Sequence, residues 1–175
     1  MPGHCGAGSR SNGTGGGGSR AACSALHYRP NGPPIWLAGS VRPAFDRAAR
    51  HFDGWFANEA SLTRWTEQWG EVRAIVQEAG RDLDKFVAAV YLTLAIDEDA
   101  GRAEQRIDAF LENYYGQPAA VMRRRQACYA GPTVGAAEFL RGFADAGASH
   151  MIVRFTGDHE RNLETFTRLR AELGW

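Results

Sequence analysis

The sequence predicts an α/β protein with a parallel sheet, and three observations carry that reading. From residue 33 onward, short apolar runs alternate with amphipathic helical stripes, the order expected of strand–helix–strand units. The run FVAAVYLTLAI at 86–96 is apolar on both faces and rich in β-branched and aromatic residues, which suits a strand covered on both sides. The gaps between most strand candidates are long enough for the helical crossovers that parallel neighbours require.

Residues 1–26 are dominated by Gly and Ser and hold almost no apolar side chains until their end. Such a segment buries too little surface to offset its ordering entropy. The expected division is therefore a disordered leader at 1–30 and a folded domain at 31–175. Ile35, Trp36, Leu37 and Ala38 form the first strand, behind prolines that cannot lie inside a sheet. Pro43 suits the first turn of a helix, and Phe45, Ala48, Ala49 and Phe52 fall at i, i+3, i+4 and i+7. Asp53 and Gly54 close that helix, and Trp55, Phe56 and Ala57 make a second strand.

Ser61 is the expected N-cap of the next helix, with Leu62, Trp65, Trp69, Val72 and Val76 as its apolar stripe and Gly80 as its stop. After the third strand at 86–96, acidic DEDA at 97–100 favours a helix N-terminus through the dipole. That helix carries Ile107, Phe110, Leu111 and Tyr114, is broken by Gly116 and Pro118, and is followed by a short basic helix. Residues 133–147 form another helix, with Phe139, Leu140 and Phe143 inward. HMIVRF at 150–155 is the last strand, and the closing helix at 159–173 presents Leu163, Phe166, Leu169 and Leu173. The sum is about four strand–helix units, with an extra helical stretch of about thirty residues after the third strand. Periodicity leaves two architectures open: a doubly wound open sheet, and part of a (β/α)8 barrel.

Acidic and basic residues balance at 20 each, so no net field draws the chain to nucleic acid or an anionic membrane. The basic cluster Arg123, Arg124 and Arg125 reads as a solvated helix face. No apolar run approaches the roughly 20 residues that span a bilayer, and the N-terminus shows no apolar core of a signal peptide. Cys5, Cys23 and Cys128 are odd in number and share no ligand-like spacing. Neither a disulfide framework nor a metal site is expected, and a reducing cytoplasm is the expected location.

At this point the residues resemble a known family. PPIWLAGS and AFDRAARHFDGWFAN, then W…VR…EAGRD, are similar to the bacterial luciferase-like monooxygenases. So is the closing order of GPTVGAAEFLRGFADAGASHMIVRF and LRAELG. The resemblance runs from about residue 33 to the end. It implies a flavin- or F420-dependent oxidoreductase on a (β/α)8 barrel, whose fifth to eighth strands correspond to the strands here. The extra helices match an insertion after the family's seventh strand. A whole barrel takes about 250 residues, so the resemblance implies a partial TIM barrel, the C-terminal half, with much of the cofactor platform supplied by a first half. Weak or no cofactor binding by the monomer is therefore expected.

Barrel active sites lie at the C-terminal ends of the strands. Ala38, Gly39 and Ser40 stand where the first strand meets its helix, a place where free amides and the helix dipole favour an anion. A lone Gly-Ser turn reads as plain turn chemistry. With the resemblance it reads as the loop for the phosphate or ribityl end of FMN or F420, with Arg42 adding charge. Asn58, beyond the second strand, is a substrate-pocket candidate, as are Arg154, near the end of the last strand, and His159, at the start of the last helix. No residue stands out as general base or nucleophile, and in this family much of the chemistry belongs to the cofactor. A small organic substrate is expected. The alternative is a non-catalytic half-barrel that acts through self-association, such as a homodimer that covers open sheet edges.

Overall fold

A computed structural model describes residues 32–175, so the leader expected at 1–30 lies outside the described residues. The chain divides into two units, of which Pro34–Trp175 carries the sheet. Its centre is β3, Val87–Ile96, ten residues with little surface exposed on either side. All its neighbours run parallel to it.

Along one edge β3 pairs first with β2, Gly54–Ala57, through Val87–Val90, and β2 pairs in turn with β1, Trp36–Ala38. Further along, Leu92–Ile96 pair with β4, Ala127–Gly131. The opposite edge, from Ala89 to Leu94, is taken by β5, His150–Phe155. Because β5 overlaps both registers, β2 and β4 share one edge of β3, and the handover falls at Tyr91.

The fold is thus a parallel α/β sheet of five strands rather than four. The additional strand is β4, which the sequence reading left between helices. The reason is physical: its ACYAG is short, small and without alternation, and it becomes a strand because β3 is long enough for a second neighbour.

Side chains alternate between two faces. Trp55, Ala57, Ala88, Val90, Leu92, Leu94 and Ile96 point to the first, and four helices cover it. These are α1 (Arg42–His51), α2 (Leu62–Glu78), α5 (Thr133–Asp145) and α6 (His159–Leu173). On α1 Phe45, Ala48 and Ala49 of the expected stripe are buried, Phe52 falls at the C-cap and is half-buried, and Pro43 lies in the first turn. Ser61 caps α2 by accepting a hydrogen bond from the Arg64 amide at 3.3 Å. The α2 stripe gains Ile75 and loses Leu62, which at the first helical position is 38% exposed. Leu163 on α6 is also exposed, while Phe166, Leu169 and Leu173 further along that helix meet the core.

The second face carries Trp36, Phe56, Tyr91, Thr93, Ala95, Cys128, Ile152 and Arg154. Its C-terminal half is covered by the insertion, α3 (Ala100–Tyr115) and α4 (Ala119–Met122), through Ala103, Ile107, Leu111, Ala119 and Met122. Tyr114 stays largely exposed while its ring lies over Arg154 of the same face. Arg123, Arg124 and Arg125 follow α4 as turns rather than forming a basic helix, and Arg123 pairs with Glu104 and Asp108 of α3. The N-terminal half of this face is open, with Trp36 and Phe56 half-buried and Ile152 exposed. Among the described residues no helix is long and apolar enough to cross a membrane.

Candidate functional site

Parallel strands put all five C-terminal ends on one rim, and the turns that leave them carry most of the residues singled out by sequence. At the end of β1, the Gly39 carbonyl accepts a hydrogen bond from Trp55 Nε1 at 2.8 Å, which anchors the turn to β2. Gly39 is required by packing: an added Cβ would overlap the Ala44 methyl on the first turn of α1. Val41 stands at the N-cap and offers no side-chain cap, so the first amides of α1 stay free of one.

Ser40 and Arg42 are brought together on the rim of a polar depression of about 380 Å³ that also includes Arg64, Glu67, Gln68 and Glu71. Arg42 is mostly exposed and paired with Asp46 at 3.5 Å and Glu71 at 3.9 Å. Ala38 is exposed at the strand's end. The depression therefore holds two guanidiniums balanced by carboxylates, beside an uncapped helix start.

Asn58 leaves β2 exposed, and the held residue is its neighbour. Glu59 is buried, accepting from Gln68 Nε2 at 2.9 Å and pairing with Arg64 at 3.3 Å. His159 is exposed on the first turn of α6, whose cap is Asp158.

Arg154 has the densest polar surroundings. Its Nη2 donates to Tyr115 Oη at 2.9 Å, Thr93 Oγ1 at 3.1 Å and Gln126 Oε1 at 3.3 Å. Its Cζ lies 4.7 Å from the ring centre of Phe110, 4.8 Å from Tyr114, 5.0 Å from Tyr91 and 5.5 Å from Tyr115. Ring faces carry negative potential and hold such a cation. Gln126 is fully buried and its Oε1 also accepts from Tyr115 at 3.3 Å. Burial pushes the Tyr91 phenol up, against the pull of Arg154 beside it. Cys128, on the same face, has its thiol pushed up to about 11, mainly by burial.

Sequence reasoning placed Arg154 on this face but missed Gln126, Tyr91 and Tyr115. The nearest signal was Tyr114, which reads as the end of a helix stripe and stands beside Tyr115.

A second node went unread at the end of β3. Asp97 is buried and accepts from Arg102 Nη2 at 2.7 Å and Arg106 Nη2 at 2.8 Å. The Arg102 contact, then the Asp99 amide, then Arg106 hold its carboxyl well below the usual carboxylate range. This node fixes the start of the insertion over the rim. Gly157 follows β5 with φ of 89°, and an added Cβ there would meet Arg106, so the node also shapes the last turn. Among the described residues no cluster of three His, Cys, Asp or Glu side chains is placed to hold a metal ion.

A family model described as luciferase-like monooxygenase matches residues 19–173. By sequence, none of the curated proteins matches the chain. Solved structures match it by fold. The coenzyme F420-dependent tetrahydromethanopterin reductase from Methanopyrus kandleri aligns with TM-score 0.61 and 17% identity, over 75% of this chain and 48% of its own. An F420-dependent secondary alcohol dehydrogenase, in complex with an F420–acetone adduct, aligns with TM-score 0.66 and 15% identity, over 82% and 50%. The EDTA monooxygenase from Chelativorans sp. BNC1 aligns with TM-score 0.61 and 14% identity, over 81% and 45%. At such identities the likeness is one of fold, and this chain spans at most half the length of these three proteins.

Proposed function

This chain belongs to the luciferase-like monooxygenase family, and from that membership we propose that it forms one wall of a flavin-dependent (FMN or F420) oxidoreductase acting on a small organic molecule. The observation that carries the reading is the family match over residues 19–173. The architecture supports it: helices cover one face of a parallel sheet, while the other face, with its aromatic side chains, is open at one end. That is the layout of a partial (β/α)8 barrel wall with its inner surface in view. Two of the structural relatives are F420-dependent by description, and a third is a monooxygenase.

The β1–α1 turn fits the phosphate end of such a cofactor. Ser40 offers an exposed hydroxyl, the α1 N-terminus lacks a side-chain cap, and Arg42 and Arg64 stand on the same rim. Pro43 has no N–H and the Ala44 and Phe45 amides already donate to the Val41 carbonyl, so an anion there meets the Ser40 hydroxyl, the two guanidiniums and the positive end of a helix dipole. Gly39 serves the fold by admitting α1, and Arg42 contributes charge already shared with two carboxylates. When bound, the cofactor supplies the electron transfer. The chain's part is to hold its phosphate end at Ser40, to face the reacting ring with the second sheet face, and to exclude water with α3. Because the resemblance assigns much of the cofactor platform to the other half of the barrel, the chain alone binds the cofactor weakly.

Fluorescence titration of the purified chain with FMN and with F420 tests the reading. Saturable binding of one of them, weakened by Ser40→Ala or Arg42→Ala, is expected. No binding of either, in the monomer or in any assembled form, sinks it.

A second reading, a half-barrel acting by self-association, is favoured by the open face that exposes Ile152 and leaves Trp36 and Phe56 half-covered. Light scattering that finds a cooperatively folding monomer at all concentrations counts against it.

A further inference from the structure

Among the described residues no carboxylate pairs with Arg154. Arg42, Arg64, Arg102, Arg106 and Arg123 each pair with a carboxylate. Arg154 instead meets three neutral oxygens, all of them on Nη2. What the cluster has left over is donors. Arg154 Nε and Gln126 Nε2 are both buried with no hydrogen-bond partner among the described residues, and the Gln126 side chain is fully enclosed. Thr93 Oγ1, Tyr115 Oη and Gln126 Oε1 are already engaged.

Aromatic faces steady a cation, yet they give its N–H groups no acceptor of hydrogen-bond quality. Unmet donors around a half-buried positive charge call for an acceptor that is itself negative. One guanidinium and one primary amide match a singly charged, two-oxygen group, whereas a phosphate dianion would be left with unmet charge. The rings fix the shape of the remainder. Tyr114 is 64% exposed and opens the cluster to solvent, and Tyr91 continues across the sheet to Phe56, edge to face at 6.1 Å between ring centres. A flat apolar body lies naturally along such a surface.

We infer that Arg154 and Gln126, within the rings of Phe110, Tyr91, Tyr114 and Tyr115, form a carboxylate subsite for an aromatic or similarly flat organic acid. The inference deepens the oxidoreductase reading, on which it rests for naming this acid as the substrate. The binding event itself requires no cofactor.

The test is thermal unfolding of the full chain, without cofactor and at fixed ionic strength, with benzoate, with benzamide as its uncharged counterpart, and with inorganic phosphate. Benzoate is expected to raise the midpoint saturably, and benzamide and phosphate are not. Arg154→Lys keeps the charge but loses the fork, and with it most of the benzoate shift. Gln126→Glu places a carboxylate beside Arg154, so this variant melts higher without ligand and no longer responds to benzoate.

A wild-type chain with no rise specific to benzoate overturns the subsite, and so does an equal rise with phosphate. Where Arg154→Lys fails to fold, Gln126→Glu decides: a wild-type-like benzoate response in that variant overturns the proposal. Titrating the same wild-type sample with FMN and F420 separates the two readings. Benzoate binding with no cofactor binding in the monomer or in any assembled form keeps the subsite and sinks the oxidoreductase, and the reverse keeps the oxidoreductase and sinks the subsite.

Discussion

Gly39→Ala isolates the purpose of the first rim turn. The backbone of Gly39 lies outside the left-handed region, so alanine meets no conformational strain there. Space is the obstacle. An added Cβ would stand under 3.0 Å from the Ala44 Cβ, while its next neighbour, the Ala44 Cα, is at an ordinary 3.9 Å. Relief requires α1 to retreat from the turn, which disturbs buried Phe45 and Ala48 and the Trp55 bond to the Gly39 carbonyl. Overpacking of this kind costs about 1–3 kcal/mol, and a value near the middle is expected.

Since the overlap has one partner, Ala44→Gly removes it. That change by itself costs about 1 kcal/mol for glycine in a helix and about 0.8 kcal/mol for a buried methyl. The double variant is then expected to be about as stable as Ala44→Gly alone, a coupling energy of about 2 kcal/mol. Urea unfolding followed by tryptophan fluorescence measures all four corners of the cycle. A Gly39→Ala chain within about 0.5 kcal/mol of wild type, or a double variant that is simply additive, refutes the packing role and returns the glycine to ligand approach.

Other outcomes follow from the core and from the buried titrating groups. Phe143→Ala should cost about 3–5 kcal/mol by urea unfolding, because Phe143 is fully buried between Trp65 and Phe139; a loss under about 1 kcal/mol contradicts its place in the core. Asp97 has a folded pKa below its unfolded value near 3.9, so its contribution is complete above that value and is lost as pH falls through it toward the folded value. Asp97→Asn should flatten the fall of the urea midpoint at acid pH, and parallel pH profiles in the two proteins would contradict this. The Cys128 thiol, pushed up to about 11, should react with iodoacetamide more slowly than free cysteine at neutral pH in a Cys5→Ser/Cys23→Ser chain, and speed up only toward that value. Reaction at the rate of free cysteine would show the thiol to be exposed.

Much of the architecture is written in local chemistry. The double-sided apolar run that became β3 needs cover on both faces in any fold, and the structure supplies it. Ser61 had only to accept from an amide three residues on, and Pro43 only to fill a first turn, so both were legible from short spacings. The inward set on α5 also held, with Leu140 and Phe143 fully buried. Leu62 and Leu163 broke their stripes because a stripe fixes a helix's apolar side and not how far along its axis the core extends.

The candidate site divided in the same way. The sequence could place Ser40 and Arg42 at a strand end, because that follows from chain order alone. It could not show that Gly39 is there for Ala44, or that Glu71 lies beside Arg42, since those contacts join elements whose approach is set by packing.

Alternation and helical spacing determined that this chain is a parallel α/β protein, because each is a property of neighbours in sequence. The tertiary structure alone decided that ACYAG would be a strand, since its hydrogen-bond partners are the last five residues of β3. It also decided that an arginine from β5 would share its surroundings with Thr93, Tyr115 and Gln126. Those groups are separated by 61, 39 and 28 positions, and only the closing of the sheet and the laying of α3 across its second face bring them within hydrogen-bond reach.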